Sequence, residues 1–245
     1  MSKGRLGGVV VAAVAFCLLI LQLEAVPIRS SSLLAGVAAP WRVPTGYDPL
    51  TAEEIAALVT AAQAETAMAA QSATPAAMRP PELLLVERHE ASKAEYAKGS
   101  WPRQGDVYLY DYATDTLLHT TVDVQSGAVI TVERVQDVQL PLTANEESRA
   151  LALIAADPLL WATLAARYQI VTGQALTHLA QLQVKVSVFH ADVMPDRVNA
   201  AAQHCGRHRC AQVLLFTVDK TLLDMTPIVD LSLGQVVQVL DDALN

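Results

Sequence analysis

Residues 105–157 read GDVYLYDYATDTLLHTTVDVQSGAVITVERVQDVQLPLTANEESRALALIAAD, and this stretch decides the fold. It contains runs rich in apolar residues, separated by short breaks with Asp or Gly, and then Pro-Leu-Thr, which opens a helix. Connections of two to five residues are too short to cross over to a parallel neighbour, so the runs predict an antiparallel meander. A sheet is therefore followed directly by a helix, and parts of the same pattern recur elsewhere in the chain.

The two predicted helix starts carry the same signal. Thr51 and Glu54 have the spacing of a capping box, in which each side chain bonds the backbone N–H of the other residue. The same pair recurs as Thr143 and Glu146, and the two copies lie 92 residues apart. The recurrence predicts two helices that begin two copies of one structural unit.

A second repeat lies in the strands. The segment VDVQSG at 122–127 matches VDLSLG at 229–234, with an offset of 107 residues. This offset exceeds that of the helices, so the second copy contains additional residues. We expect them in a second helix of the second unit and in an excursion at 192–204.

The predicted fold class is α+β, with two tandem units at 48–138 and 139–245, each a helix followed by four antiparallel strands. Pro227 falls within a predicted strand, and because proline cannot donate a ladder hydrogen bond, that strand is expected at an edge or with a bulge. The predicted strands are 83–88, 106–111, 117–124 and 128–135, then 182–189, 211–218, 222–231 and 235–240.

The chain begins with a predicted membrane segment. Lys3 and Arg5 precede an uncharged apolar run at 7–23, which as a helix would be about 25 Å long. The basic residues place the N-terminus on the cytoplasmic side and the rest of the chain outside. Residues 1–25 are therefore expected to form a signal anchor, and residues 26–47, with three prolines and a triple serine, a linker.

Secretion after signal cleavage is the alternative. Ala25 would supply the small residue before the cut, but Leu23 occupies the position two residues earlier, where a small residue is preferred. The cleavage site is poorly specified, which favours the uncleaved anchor.

The charge balance bears on partners. The whole chain has a net charge of −8, with 17 basic and 25 acidic residues. Phosphate binding needs a basic face, and the sequence offers no cluster larger than Arg207 and Arg209. Nucleic acid is therefore not an expected partner.

Cys205 and Cys210 lie just before a predicted strand. Outside the cytoplasm two such cysteines most often pair, which predicts a disulfide that closes a small loop. Two alternatives remain open: the thiolates together with His204 and His208 could bind a metal ion, or the cysteines could be a redox-active pair. The spacing is that of neither a standard zinc knuckle nor a CxxC oxidoreductase.

Within this loop, Arg207, His208 and Arg209 are three consecutive basic side chains. At the tip of a disulfide loop they would form a small cationic knob on an acidic protein. Such a knob suits contact with an acidic partner, and a merely solvated loop is the alternative.

The sequence offers no catalytic constellation and no cofactor motif. No nucleophile elbow, phosphate-binding loop or metalloprotease motif occurs. The acidic pairs Glu53/Glu54 and Glu146/Glu147 fall in first helical turns, where the helix dipole favours negative charge. The histidines at 89, 119, 178 and 190 are interpreted as ordinary surface or rim residues, and no enzymatic activity is expected.

The two units resemble the small non-catalytic N-terminal domains of copper amine oxidases. The resemblance lies in DPLT at 48–51, VYLYD at 107–111, the VDV segment at 122–124, and VQLPLT at 138–143 running into AADP at 155–158. It implies a cystatin-like arrangement of one helix on a four-stranded antiparallel sheet. It is clearest over residues 48–175, and the internal repeat supports the C-terminal copy.

The chain also departs from that family. Such oxidases have a large catalytic domain with a copper site and a quinone made from tyrosine in an Asn-Tyr-acid motif. In this sequence Leu109 stands before Tyr110 and Asp111 where that motif has Asn, and no His-x-His pair occurs. The resemblance therefore implies domains without the oxidase chemistry.

Two functions follow as hypotheses. The favoured one is a membrane-tethered, extracytoplasmic, non-catalytic module that binds another protein, such as a membrane or periplasmic enzyme or a second copy of itself. The alternative is an accessory subunit of a redox enzyme that uses Cys205 and Cys210 for metal binding or thiol exchange.

Overall fold

A computed structural model describes residues 44–70, 79–99 and 101–241. All of these residues belong to one compact unit. The predicted membrane segment at 7–23, and most of the predicted linker, lie outside the described residues. Among the residues described, no single helix combines the length and apolar composition needed to cross a membrane, and one pair bent by 89° passes that test only when its two helices are taken together.

The first half of the fold is a helix on a four-stranded sheet. The helix α1 spans Ala52–Ala70, and the sheet has the antiparallel order β1-β2-β3-β4. A short helix, α2 (Lys93–Lys98), lies between the first two strands. The strands are β1 (Glu82–Arg88), β2 (Gln104–Asp111), β3 (Thr116–Asp123) and β4 (Val129–Val135).

The second half repeats this plan with two helices, α3 (Ala144–Ala156) and α4 (Pro158–Thr172). Its sheet has the antiparallel order β5-β6-β7-β8. Three short 3-10 helices lie at Leu179–Gln181, Ala191–Val193 and Ala202–His204. The strands are β5 (Gln183–Val188), β6 (Cys210–Phe216), β7 (Met225–Asp230) and β8 (Gln235–Asp241). The expected fold class of helices and two four-stranded antiparallel sheets is confirmed.

Both predicted capping boxes form. The Thr51 backbone N–H donates to Glu54 at 2.7 Å and the Thr143 N–H donates to Glu146 at 2.8 Å, while each threonine hydroxyl accepts a bond of 3.2 Å from the glutamate N–H. Asp157 ends α3 and caps α4, because its carboxylate accepts bonds from the first free N–H groups of α4. Sequence-local hydrogen bonding therefore sets where these helices begin.

The repeated strand segment has the same structure in both units. A register shift falls just before Val122 in the first sheet and just before Val229 in the second. The turns that follow are closed by Gly127 and Gly234, whose N–H groups bond the carbonyls of Asp123 and Asp230, with φ of 69° and 70°. Both valines are fully buried, so the duplication predicted from the sequence extends to matching surroundings.

The strand registers also place the additional residues of the second unit. Val86 pairs with Val107 in the first sheet, and Val186 pairs with Val213 in the second. The offset between units is thus 100 residues at β1 and β5, and 106 at β2 and β6. The additional residues lie in α4 and in the 3-10 segments after β5, as expected.

Two details refine the sequence-based expectation. Pro227 was expected at an edge or with a bulge, and it lies in β7, which has neighbours on both sides, so the edge alternative is wrong. The pairing of β6 with β7 ends at Ile228, next to the proline, and a bulge follows between Ile228 and Val229 on the β8 side, as the second alternative predicts. The loop between β1 and β2 contains α2, which Ser92 and Glu95 cap with a capping box.

The apolar core has three parts. One lies between α1 and the first sheet, around Leu58, Leu109 and Val122. The largest contains α3, α4 and the second sheet, and it extends to Tyr110 and Leu117 of the first sheet. The third lies under the 3-10 segments and includes both cysteines. The two units therefore share part of their core.

Candidate functional site

The predicted disulfide between Cys205 and Cys210 is present. Both cysteines are buried, and backbone bonds join the loop to its surroundings: the Ala191 N–H donates to the Cys205 carbonyl and the Phe189 N–H donates to the Cys210 carbonyl, each at 3.0 Å. The loop thus enters β6 at a fixed position. Both sulfur atoms are in the disulfide, so the proposed set of two thiolates and two histidines is not available for metal binding in this state.

Arg209 is not part of an exposed cationic knob, and that prediction is wrong for this residue. Its side chain is fully buried and pairs side-on with Glu146, which is also fully buried. It also donates to the carbonyl oxygens of Leu140 and Pro141, both at 2.9 Å. Arg209 therefore ties the disulfide loop to the start of α3.

The carboxylate of Glu146 is held in its charged form. The Tyr112 hydroxyl donates to it at 2.6 Å and accepts a bond from Arg149 at 2.7 Å. Burial alone would raise the pKa of Glu146, but the hydrogen bonds and positive charge of Arg209 outweigh it and lower the pKa. Burial, followed by the bond to Glu146, raises the pKa of Tyr112.

His208 faces inward and joins the two units. Its Nδ1 lies 2.7 Å from Oδ2 of the buried Asp230, and its Nε2 lies 3.5 Å from Asp115 in the turn between β2 and β3. Ser232 donates to the same Asp115 at 2.5 Å, and the Tyr110 hydroxyl lies 3.4 Å from the Arg207 carbonyl oxygen. The disulfide loop is therefore a joint between the two units.

Of the three predicted contact residues, the structure leaves the Arg207 side chain exposed, His208 partly exposed and Arg209 buried. Sequence reasoning treated them as equivalent because their burial depends on the other unit. Partner contact through Arg207 stays a prediction.

The same arginine–glutamate pair occurs in the first unit. Arg103 contacts Glu54 through two bonds of 2.7 Å and donates to the carbonyls of Asp48 and Pro49 at 2.8 and 2.7 Å. These acceptors correspond to Leu140 and Pro141 at the helix offset of 92 residues. The first pair is partly exposed, with side-chain exposures of 10% and 19%, whereas the second pair has none.

A second ionisable cluster lies on the first sheet, where sequence reasoning saw isolated histidines. Asp106 is 6% exposed, and its carboxylate lies 2.9 Å from His89 Nδ1 and 3.0 Å from His119 Nε2, while the Thr121 hydroxyl donates to it at 2.9 Å. The His119 contact lacks hydrogen-bond geometry. Cross-strand register brings these residues together, and no spacing in the sequence indicates it.

Tyr108 completes this cluster. Its ring stacks on His119 with centroids 4.6 Å apart, and its hydroxyl donates to Glu87 at 3.1 Å. Burial and the hydrogen bond to Glu87 raise the pKa of Tyr108 to about 12, so the phenol is not activated as a nucleophile. Within the described parts of the chain, no three His, Cys, Asp or Glu side chains are placed to hold a metal ion.

A cleft of about 490 Å³ opens beside Arg103 and Glu54. An aromatic cluster borders the cleft. The centroid of the Trp101 ring lies 3.8 Å from that of the Tyr47 ring and 4.6 Å from that of the Tyr96 ring. Both tyrosines are almost half exposed. The Trp101 indole N–H is buried and has no hydrogen-bond partner among the described residues.

The outer edge of the first sheet is uncovered. β4 pairs only with β3 in the part of the chain that the structure describes, and residues 130–134 are all exposed. Ile130 and Val132 are 47% and 41% exposed. An edge strand of this kind presents unpaired backbone N–H and C=O groups.

No protein-family model matches the sequence, and no curated protein matches it. Among solved structures, the chain is similar to a copper-containing benzylamine oxidase from Hansenula polymorpha, at 15% sequence identity and a TM-score of 0.49. The match covers 81% of this chain and 30% of the oxidase chain. This chain spans less than a third of the length of that oxidase chain.

Proposed function

We propose that the protein is a membrane-tethered, extracytoplasmic, non-catalytic module that binds another polypeptide along β4. The observation that carries the proposal is the exposed edge of this strand. Residues 130–134 are exposed in succession, whereas the outer strands β1, β5 and β8 contain mostly partly buried residues. Strand addition to such an edge supplies backbone hydrogen bonds for affinity and side-chain contacts for specificity.

The side chains of β4 suit a specific partner better than general aggregation. Ile130 and Val132 are neighbours on one side of the strand and offer an apolar contact. Glu133 and Arg134 add opposite charges at the next two positions, and charges of this kind discourage unselective edge pairing. The partner of this surface is an extended segment with small apolar residues at alternate positions.

Two observations support the compartment. The disulfide favours an oxidising environment outside the cytoplasm. The charge pattern of residues 1–25 favours an anchor with the rest of the chain outside. Carbonate extraction of membranes, with mass determination of the mature chain, distinguishes an uncleaved anchor from a secreted form.

The redox-subunit alternative receives less support. Cys205 and Cys210 are 5% and 0% exposed, so an attacking thiol has poor access to either sulfur. Thiol titration and metal analysis of the full-length protein would show free thiols or stoichiometric metal if this alternative held.

The test of the binding role uses a photo-reactive amino acid at Val132 of the full-length chain in its native membrane. The matched control places it at Ile170, an exposed apolar residue of α4 with 83% exposure. We expect cross-links from position 132 to one extended segment of one partner. The substitution I130K on the same strand should remove these cross-links, because it adds a charge to the edge. Equal cross-linking from both positions, or cross-links that survive I130K in a folded protein, would overturn the proposal.

A further inference from the structure

The two units present corresponding corners, each built around the arginine that contacts the helix-capping glutamate. In the second unit this corner, here called the second corner, consists of Gln139, Arg207, Arg209 and Ser232. The first corner consists of the corresponding residues of the first unit, which are Tyr47, Trp101, Arg103 and Gln125. They precede Gln139, Arg207, Arg209 and Ser232 by 92, 106, 106 and 107 residues, the offsets found above for the helix, for β2 and for the repeated turn.

The second corner is occupied. It receives the turn between β2 and β3, because Ser232 bonds Asp115 and the Arg207 carbonyl oxygen lies within 3.4 Å of the Tyr110 hydroxyl. The Tyr110 hydroxyl also donates to Asp115 at 3.2 Å. A corner of this shape therefore holds the end of a β-hairpin from a neighbouring sheet.

The first corner is open as far as residues 44–70, 79–99 and 101–241 are concerned. All four of its residues line the cleft of about 490 Å³. Its surface is aromatic instead of polar, since Tyr47 and Trp101 replace Gln139 and Arg207. Trp101 is buried, whereas the rings of Tyr47 and Tyr96 that pack on it are almost half exposed, and exposed aromatic rings favour an apolar or cationic contact.

The second sheet has a hairpin end with that chemistry. The turn between β6 and β7 in the second unit corresponds to the turn between β2 and β3 in the first unit, because each joins the second and third strands of its sheet. Residues 218–221 of this turn are all exposed, with Val218 at 69% exposure and Lys220 two residues later. Val218 supplies an apolar contact for the aromatic rings, and Lys220 supplies a cation for their faces.

We propose that the first corner of one copy binds the β6–β7 turn of a second copy in a head-to-tail contact. The contact repeats between chains the one that the second corner makes within the chain. Because the corner and the turn are different surfaces, one such contact leaves a corner on one copy and a turn on the other available for further contacts. The assembly therefore either extends as a filament or closes into a ring. This contact goes beyond the proposed binding along β4, because it uses a different surface.

The test is a mixed cross-linking experiment with the full-length protein. One sample contains a photo-reactive amino acid at Gln125, which is exposed in the first corner, and the second sample is isotope-labelled. We expect peptides that join position 125 of the first sample to residues 216–225 of the labelled copy. Cross-links to residues 1–43, to a different protein, or only within one copy would overturn the proposal.

Two variants make the result specific. Y96A removes a half-exposed ring that contacts Trp101, and V218D adds a charge to the turn; each should weaken self-association at least about tenfold, as expected for loss of an interface anchor. I170A, on an exposed part of α4, is the control. Light scattering measures the assembly and thermal unfolding checks the fold. Unchanged assembly in folded Y96A and V218D would overturn the proposal, while the β4 variant I130K tests the binding role separately.

Discussion

Arg209 pairs side-on with Glu146, and neither side chain is exposed to solvent. The corresponding pair of Arg103 and Glu54 has the same geometry at the border of an open cleft. One local motif therefore occurs in two environments. The first unit covers the second pair, whereas no described residue covers the first pair to the same extent.

Replacing Arg209 should destabilise the protein strongly. R209M leaves the carboxylate of Glu146 buried without its cation, which costs about 3–5 kcal/mol in the free energy of unfolding. The matched variant R103M should cost less, about 1–3 kcal/mol, because water can solvate Glu54. Urea unfolding measures both, and equal losses would contradict the difference in burial.

The stability of the protein should fall in acid partly through Glu146. Its pKa is lowered in the folded state, so its contribution is complete above the unfolded value of about 4.3 and is lost as the pH falls through the lower folded value. E146Q should be less stable at neutral pH and should show a shallower decline in acid. Unfolding free energies measured from neutral pH downwards test this, and an unchanged slope would count against it.

Removing the disulfide should cost about 2 kcal/mol, because a loop this short removes little chain entropy from the unfolded state. The free energy of unfolding of the oxidised wild-type protein, compared with that of the variant in which Cys205 and Cys210 are both replaced by Ala, gives the measurement. The loop carries Arg209, so a loss much greater than this estimate would show that the disulfide also holds the arginine in place.

Gly105 should tolerate no side chain without rearrangement. A Cβ there would lie 2.3 Å from Leu58 Cδ1, in the contact between α1 and the sheet. G105A should therefore lose about 1–3 kcal/mol through overpacking. The second unit has Ala211 at the corresponding place, so a neutral G105A would show that α1 can shift as the second unit allows.

Asp106 should stabilise the first sheet through its partners. D106A removes the acceptor of the Thr121 hydroxyl and of His89, and leaving these groups unpaired costs about 1–3 kcal/mol. Thermal unfolding of D106A, of T121V and of the variant with both substitutions measures this coupling. Additive effects of the two substitutions would mean that the bond contributes nothing.

Local sequence determined the helix starts and most strands. The capping boxes at Thr51 and Thr143 depend on atoms three residues apart, so the sequence is sufficient to locate them. The same signal at Ser92 and Glu95 caps α2, which was not predicted, because this helix has only six residues and lies in a polar segment. The repeated VDVQSG and VDLSLG segments likewise contain their own turn, with a glycine at the left-handed position.

By itself, the sequence thus determined the two helix-and-sheet units and the pairing of two nearby cysteines. Only the tertiary structure decided that Arg209 is buried, because its partner Glu146 lies 63 residues away in the chain. The same holds for His89 and His119, which cross-strand register brings to one carboxylate. Charge and burial of such residues depend on which distant segments exclude water from them, and a linear pattern does not contain that information.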